Sequence, residues 1–153
     1  RVVRMLAREG VDVRVASRKR THAEAVCHRI GVAVPGARLT SHSTTDHDMA
    51  SLLDGVQLVI SAGAAGVELL DKATRVASTS LQVAIDLNAV PPVGIGGIEP
   101  TDKATKQGKK LCYGALGVGG LKMKIHKAAI AKLFTRNDLV LDAEEIYAIG
   151  KEL

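Results

Sequence analysis

The chain has 153 residues, 46% hydrophobic and 24% charged, which fits one globular domain and excludes a disordered or low-complexity protein. One Phe, two Tyr and no Trp leave Val, Ile, Leu and Ala to build the core, a mix that suits parallel strands covered by helices. The formal charge of +5 would admit a nucleic-acid partner, but no long basic run and no aromatic stacking platform accompany it, so most Lys and Arg read as solvated surface.

Arg1 to Arg8 reads as an amphipathic helix without an N-cap, ended by Gly10 as a C-cap glycine. Val11 to Ala16 alternates with period two and reads as a strand. A helix, a glycine and a β-branched strand in this order form the second half of a βαβ unit. Its first strand and the glycine-rich turn after it are therefore expected upstream of Arg1. Thr21 to Ile30 reads as a helix with Ala23, Val26, Cys27 and Ile30 on one face, closed by Gly31. Leu39 to Ser43 suits a short strand, and Asp46 to Leu53 a short helix with acidic residues at its start.

Gln57 to Ser61 is an apolar strand that ends at Ala62-Gly63-Ala64-Ala65-Gly66. Val67 to Ala77 reads as a helix, and Leu81 to Leu87 as a strand ending at Asp86-Leu87-Asn88. Pro91-Pro92 with Gly94, Gly96 and Gly97 makes a long loop. Lys109 to Tyr113 is the expected last strand. Gly117, Gly119 and Gly120 lead into a helix over Leu121 to Phe134, and Asp142 caps a final helix through Leu153. Strand and helix alternate, so the expected fold is α/β: a Rossmann-like, doubly wound, mainly parallel sheet forming one domain over residues 1–153.

In such a fold the end of the second strand reaches the adenosine ribose of a dinucleotide. A carboxylate there selects NAD. Here the junction is Ser17-Arg18-Lys19-Arg20. Ser17 can donate to a phosphate oxygen, Arg18 offers a planar fork, and Lys19 and Arg20 add positive charge, so the expected cofactor is NADP, with NAD possible. An ordinary exposed basic turn is the competing reading.

Ligands of open α/β sheets bind beyond the carboxyl ends of strands. Ser61-Ala62-Gly63-Ala64 could admit the flat face of a ribose or nicotinamide ring, and Asn88 could bond a carboxamide, with Pro91 beside it. Asp86 is expected to satisfy buried backbone amides instead. Gly117-Val118-Gly119-Gly120-Leu121-Lys122 reads either as a phosphate-cradling loop, with Gly119 and Lys122 in contact, or as a glycine hinge. No Ser/His/Asp or Cys/His set and no paired carboxylates appear, so no catalytic residue is assigned. Cys27 and Cys112 are far apart and outside any CxxC. His42 and His47 lie near Asp46 and Asp48, but that stretch reads as a loop leading into a helix, and no metal site is assigned.

Four stretches carry a family resemblance: Ser61 to Leu70, Asp86 to Ile98, Tyr113 to His126, and Asp142 to Tyr147. They resemble the bacterial methylenetetrahydromethanopterin dehydrogenases and the related methylenetetrahydrofolate dehydrogenase of methylotrophs. The resemblance implies hydride transfer from a methylene-tetrahydropterin to NADP or NAD, giving the methenyl form. It implies a further N-terminal domain that forms the other wall of the pterin cleft. It places the 2′-phosphate on Ser17, Arg18 and Lys19, and the nicotinamide near Ala62-Gly63-Ala64 and Asn88. No acid–base residue is needed, because the pterin nitrogens stabilise the developing cation.

The partner expected is thus a tetrahydropterin, with no nucleic acid, no membrane and a homo-oligomer formed through the full-length protein. A cytoplasmic location is the default without a signal peptide or spanning segment. Two alternatives share the fold: a shikimate-dehydrogenase-like NADP reductase domain, and a non-catalytic NADP-binding module.

Overall fold

A computed structural model describes residues 1–45 and 48–153. The chain forms two compact units, Arg1–Leu52 and Leu53–Leu153. The architecture is mixed α/β with predominantly parallel sheets, as a Rossmann-like fold requires.

The first unit opens with α1 (Val2–Arg8), then β1 (Val13–Ser17), α2 (Arg20–Ala33), β2 (Leu39–Ser43) and the short α3 (Met49–Leu52). Gly10 ends α1 as its position after the last helical turn suggests. It adopts φ +75, its amide donates to Ala7 O, and the Val11 amide donates to Leu6 O, both at 3.1 Å. That pair of bonds is the Schellman arrangement, which a Cβ would strain. β1 and β2 pair in parallel, from Val13 opposite Leu39 to Ser17 opposite Ser43. Ala23 and Ile30 of α2 are buried. The helix runs through Gly31 to Ala33 rather than ending at Gly31. The Val34 amide continues the ladder to Ile30 O at 2.8 Å, and Gly36, φ +80, supplies the turn instead.

The second unit holds β3 (Leu58–Ser61), α4 (Lys72–Ala77), β4 (Val83–Asp86), β5 (Thr105–Gln107), β6 (Lys110–Tyr113), α5 (Gly119–Leu133) and α6 (Ala143–Lys151). The sheet order is β3-β4-β6-β5, with β3, β4 and β6 parallel and β5 antiparallel to β6. Leu70, Leu81, Ala84, Ile95, Ile98 and Cys112 form its buried core. Each large aliphatic side chain buried there contributes about 1.5–3 kcal/mol.

The helix expected over Val67–Ala77 begins only at Lys72. Two amides it would need, Leu69 N and Leu70 N, donate to Gly94 O at 2.8 and 3.1 Å, and Leu70 bridges Ile95 in parallel. Asp71 then caps α4 by accepting from Thr74 N at 2.8 Å. α6 starts at Asp142 as expected, with a full capping box to Glu145. The strand β5 and its two-residue Gly108-Lys109 turn were not anticipated.

Most Lys and Arg read as solvated surface, but Arg75 is fully buried. Its Nε donates to Gly96 O at 3.3 Å, one terminal nitrogen to Cys112 Sγ at 3.4 Å and the other to Gln107 Oε1 at 2.6 Å. Gln107 Nε2 donates onward to Gly97 O at 2.8 Å. A buried guanidinium is costly unless its donors are used. Here those bonds tie α4, the 94–97 loop, β5 and β6 together.

Candidate functional site

In the first unit, Ser17 ends β1 and Lys19 is the N-cap of α2, in extended conformation. The junction is held by the end of β2. Ser43 Oγ and Thr45 Oγ1 donate to Arg18 O at 3.2 and 3.1 Å, and Thr44 N donates to Ser17 O at 3.0 Å. Ser43 is itself buried, so the backbone of Arg18 is fixed while the Arg18 and Lys19 side chains are exposed. The N-cap residue Lys19 makes no side-chain cap bond, and no acidic residue stands in the first turn of α2. Among the residues of that turn, none offsets the positive helix end. Arg20 departs from the expectation of simple added charge, because its Nε pairs with Glu24 Oε1 at 3.0 Å along the helix.

In the second unit, parallel pairing brings three strand ends to one side of the sheet. Ser61 is the register partner of Asp86, and Ile85 that of Tyr113. The turns that follow therefore leave from the same end: Ala62–Gly66 after β3, Leu87–Gly94 after β4, and Gly114–Gly120 after β6. Asp86, only 1% exposed, accepts from Asn88 N at 3.0 Å and Ile95 N at 2.9 Å. This is the structural role expected of it. Asn88 is also buried, and its Nδ2 donates to Ala64 O at 3.2 Å. Asn88 thus fixes the turn with which it was expected to share a ligand.

Gly94 is the residue around which this cluster closes. A Cβ there would stand 2.1 Å from Ser61 Oγ, 2.8 Å from Asp86 Oδ1 and 3.0 Å from Asn88 Nδ2. Ser61 is 6% exposed, and its hydroxyl is buried with no hydrogen-bond partner among the described residues. Sequence reasoning quoted Gly94 only as part of a loop, since nothing local signals that close approach. Ala62, Gly63, Ala64 and Pro91 are exposed at this end.

The glycine run before α5 divides in two. A Cβ on Gly117 would meet Asp102 O at 1.7 Å, whereas Gly119 and Gly120 face open space. Gly117 therefore serves packing. Gly119 and Gly120 open a helix with no side-chain cap, and Lys122 is exposed in its first turn.

Among the described residues, no three His, Cys, Asp or Glu side chains gather as a metal site would require. Asp46 and His47 lie outside the described residues, and His42 Nε2 bonds Thr40 Oγ1 at 2.9 Å. Both cysteines are free thiols. Burial raises the pKa of each: at Cys27 Glu24 adds to the rise, and at Cys112 the Arg75 charge opposes it. Among the described residues, no helix is long and apolar enough to cross a membrane.

Fold and strand-end geometry define a Rossmann-like α/β protein with a basic β1–α2 junction and a polar, glycine-closed cluster at the carboxyl ends of β3 and β4. Over 145 residues the chain is 41% identical to the bifunctional protein MdtA of Methylorubrum extorquens, which takes in 95% of this chain and 50% of that protein. Over 99 residues it is 35% identical to the NAD(P)-dependent methylenetetrahydromethanopterin dehydrogenase of the same organism, 63% of this chain and 33% of that one. The chain thus spans half the length of the first relative and a third of the second. No family model matches it.

Proposed function

We propose that this chain is the NADP-binding part of a dehydrogenase that oxidises a methylene-tetrahydropterin, with NAD as a possible second cofactor. The observation that carries the reading is the β1–α2 junction. It presents Arg18 and Lys19 at the start of a helix whose own N-cap side chain makes no cap bond and whose first turn holds no acid. That chemistry fits a dianionic phosphate and disfavours a carboxylate-selected ribose. The name of the shorter-matching relative, an NAD(P)-dependent dehydrogenase, supports the same direction.

Taken by itself, the second unit carries strand-end groups that suit a nicotinamide. Ser61 has a buried hydroxyl without a partner among the described residues, and Asn88 is already held against Ala64 O. In this reading the Asn88 side chain meets a carboxamide, buried Ser61 backs it from within the cluster, and Gly63 and Ala64 admit a flat ring at the exposed turn. The 2′-phosphate rests on Ser17, Arg18 and Lys19, with Gly119 and Lys122 offering donors to a further anionic group. NADP, when bound, supplies the hydride-accepting carbon. The protein's own residues bind, orient and exclude water, and none is assigned an acid–base step.

The test is a titration of NADP and NAD into the full-length protein and its Arg18→Ala variant. The reading expects NADP affinity to fall about 10–100-fold, the loss of one bidentate charged contact at about 1.5–3 kcal/mol, with NAD affinity nearly unchanged. Equal NADP affinity in the variant would end the assignment of Arg18. NADPH formation with methylene-tetrahydropterins then separates a dehydrogenase from a module that binds cofactor without turnover.

A further inference from the structure

The second unit also carries a hollow at the opposite end of its sheet. β4 and β6 are parallel. Leu81, before β4, and Lys110, at the start of β6, therefore stand at amino ends, whereas Asp86 stands at a carboxyl end. The strand from Val83 to Asp86 alone separates those ends by about 10 Å. The hollow measures about 500 Å³, within the range of small-molecule sites.

Its walls are of two kinds. Val76, Ala77 and Leu81 supply apolar surface, and Lys72, Lys109 and Lys110 supply charge, with the Ser78 and Thr79 hydroxyls between them. Among the described residues, no Asp or Glu lines it. Lys110 is 9% exposed, and its Nζ is anchored on Val76 O at 3.1 Å, so its ammonium is fixed rather than free to swing into water. The Lys72 stem lies along Gly97, where a Cβ would come within 2.8 Å of its Cδ. Behind the lining residue Gln107 sits Arg75, fully buried and bonded only to a carbonyl, a thiol and an amide oxygen among the described residues. Three lysines thus line one concavity, with the Arg75 charge behind its wall and no carboxylate among its described lining residues. A concavity lined by one sign of charge concentrates the opposite charge.

We propose that this hollow is a second ligand site, separate from the cofactor site, and that it takes a small phosphomonoester carrying an apolar ring. The phosphate carries nearly two negative charges and three acceptor oxygens, which match Lys72, Lys109 and the Thr79 hydroxyl. The ring covers Val76 and Leu81, which an inorganic anion would leave wet. A neutral ring compound leaves the ammonium groups unanswered.

The probe is phenyl phosphate, titrated into the whole chain by calorimetry beside inorganic phosphate and benzyl alcohol. Phenyl phosphate is expected to bind saturably at one site, about tenfold or more tighter than inorganic phosphate, and benzyl alcohol not to bind. Lys109→Glu, on the exposed hairpin turn, is expected to weaken it by about tenfold or more, and Lys109→Gln by less, with Arg18→Ala neutral. Lys109→Gln alone decides the matter if the glutamate variant does not fold. The proposal is overturned by no saturable binding, by equal affinity for inorganic phosphate, or by binding indifferent to Lys109. Loss of binding in Arg18→Ala also overturns it, because the probe would then sit at the β1–α2 junction.

Discussion

Gly94→Ala tests the strand-end cluster directly. The added methyl would lie 2.1 Å from Ser61 Oγ, more than an ångström inside ordinary contact, and 2.8 Å from Asp86 Oδ1. Neither the Asp86 carboxylate nor the Gly94 backbone can yield freely. Asp86 is held by the Asn88 and Ile95 amides, and Gly94 O accepts from Leu69 N and Leu70 N. Overpacking of a tight site costs about 1–3 kcal/mol, and losing one bond to the buried carboxylate about 1.5–3 more, so a loss of about 2.5–6 kcal/mol is expected. That is a large share of the roughly 5–15 kcal/mol that holds a domain together. Urea denaturation followed by circular dichroism measures it. Ser61→Ala in the same chain removes the closest overlap but leaves the Asp86 and Asn88 contacts, so it should restore part of the loss and show coupling in a double-mutant cycle. A Gly94→Ala protein within about 1 kcal/mol of the parent, against the overpacking cost, would refute the geometry.

Other substitutions probe the same framework. Ser61→Ala alone should leave stability unchanged or raise it by about 1 kcal/mol, because it removes a buried hydroxyl without a partner; a loss of similar size by denaturation would show that the hydroxyl is satisfied. Arg75→Lys keeps the charge but loses the fork that serves Gly96, Cys112 and Gln107, so a loss of about 1.5–3 kcal/mol is expected, and an unchanged midpoint would contradict it. Asp71 is held below the ordinary carboxylate range, first by the Thr74 hydroxyl at 2.6 Å and then by the Thr74 amide. A depressed folded-state value stabilises above the unfolded value, about pH 4, and that contribution is lost as pH falls through the lowered value. Asp71→Asn should therefore flatten the acid limb of a melting-temperature profile below about pH 4, leaving the limb unchanged if the cap does not ionise.

What was legible in the sequence was mostly local. Gly10 after an amphipathic stretch, and Asp142 three residues before Glu145, specify helix ends through bonds to neighbouring amides, and both formed as read. Leu39–Ser43 is the strand that its position suggested. Asp86 could be assigned to buried amides because a carboxylate at the end of an apolar strand has few other uses. The Ser17–Arg20 junction was found by the same kind of reasoning. Glu24 lies four residues beyond Arg20 on the same helix, a spacing that is itself legible in the sequence, and the two pair.

The rest depended on partners distant in the chain. The start of α4 moved to Lys72 because Gly94 O, more than twenty residues away, takes the Leu69 and Leu70 amides. Arg75 looks like any surface cation until β5, β6 and the 94–97 loop close over it. Thr105–Gln107 has no apolar alternation, so only pairing with β6 makes it a strand. Sequence alone therefore determined the α/β alternation, the caps and the basic junction, each settled within a helical turn or by period-two patterning. Tertiary structure decided which cations are buried, which glycines must lack a Cβ, and that Ser61, Asp86, Asn88 and Gly94 form one cluster. That cluster rests on the parallel register of β3 and β4, and no local preference encodes that register.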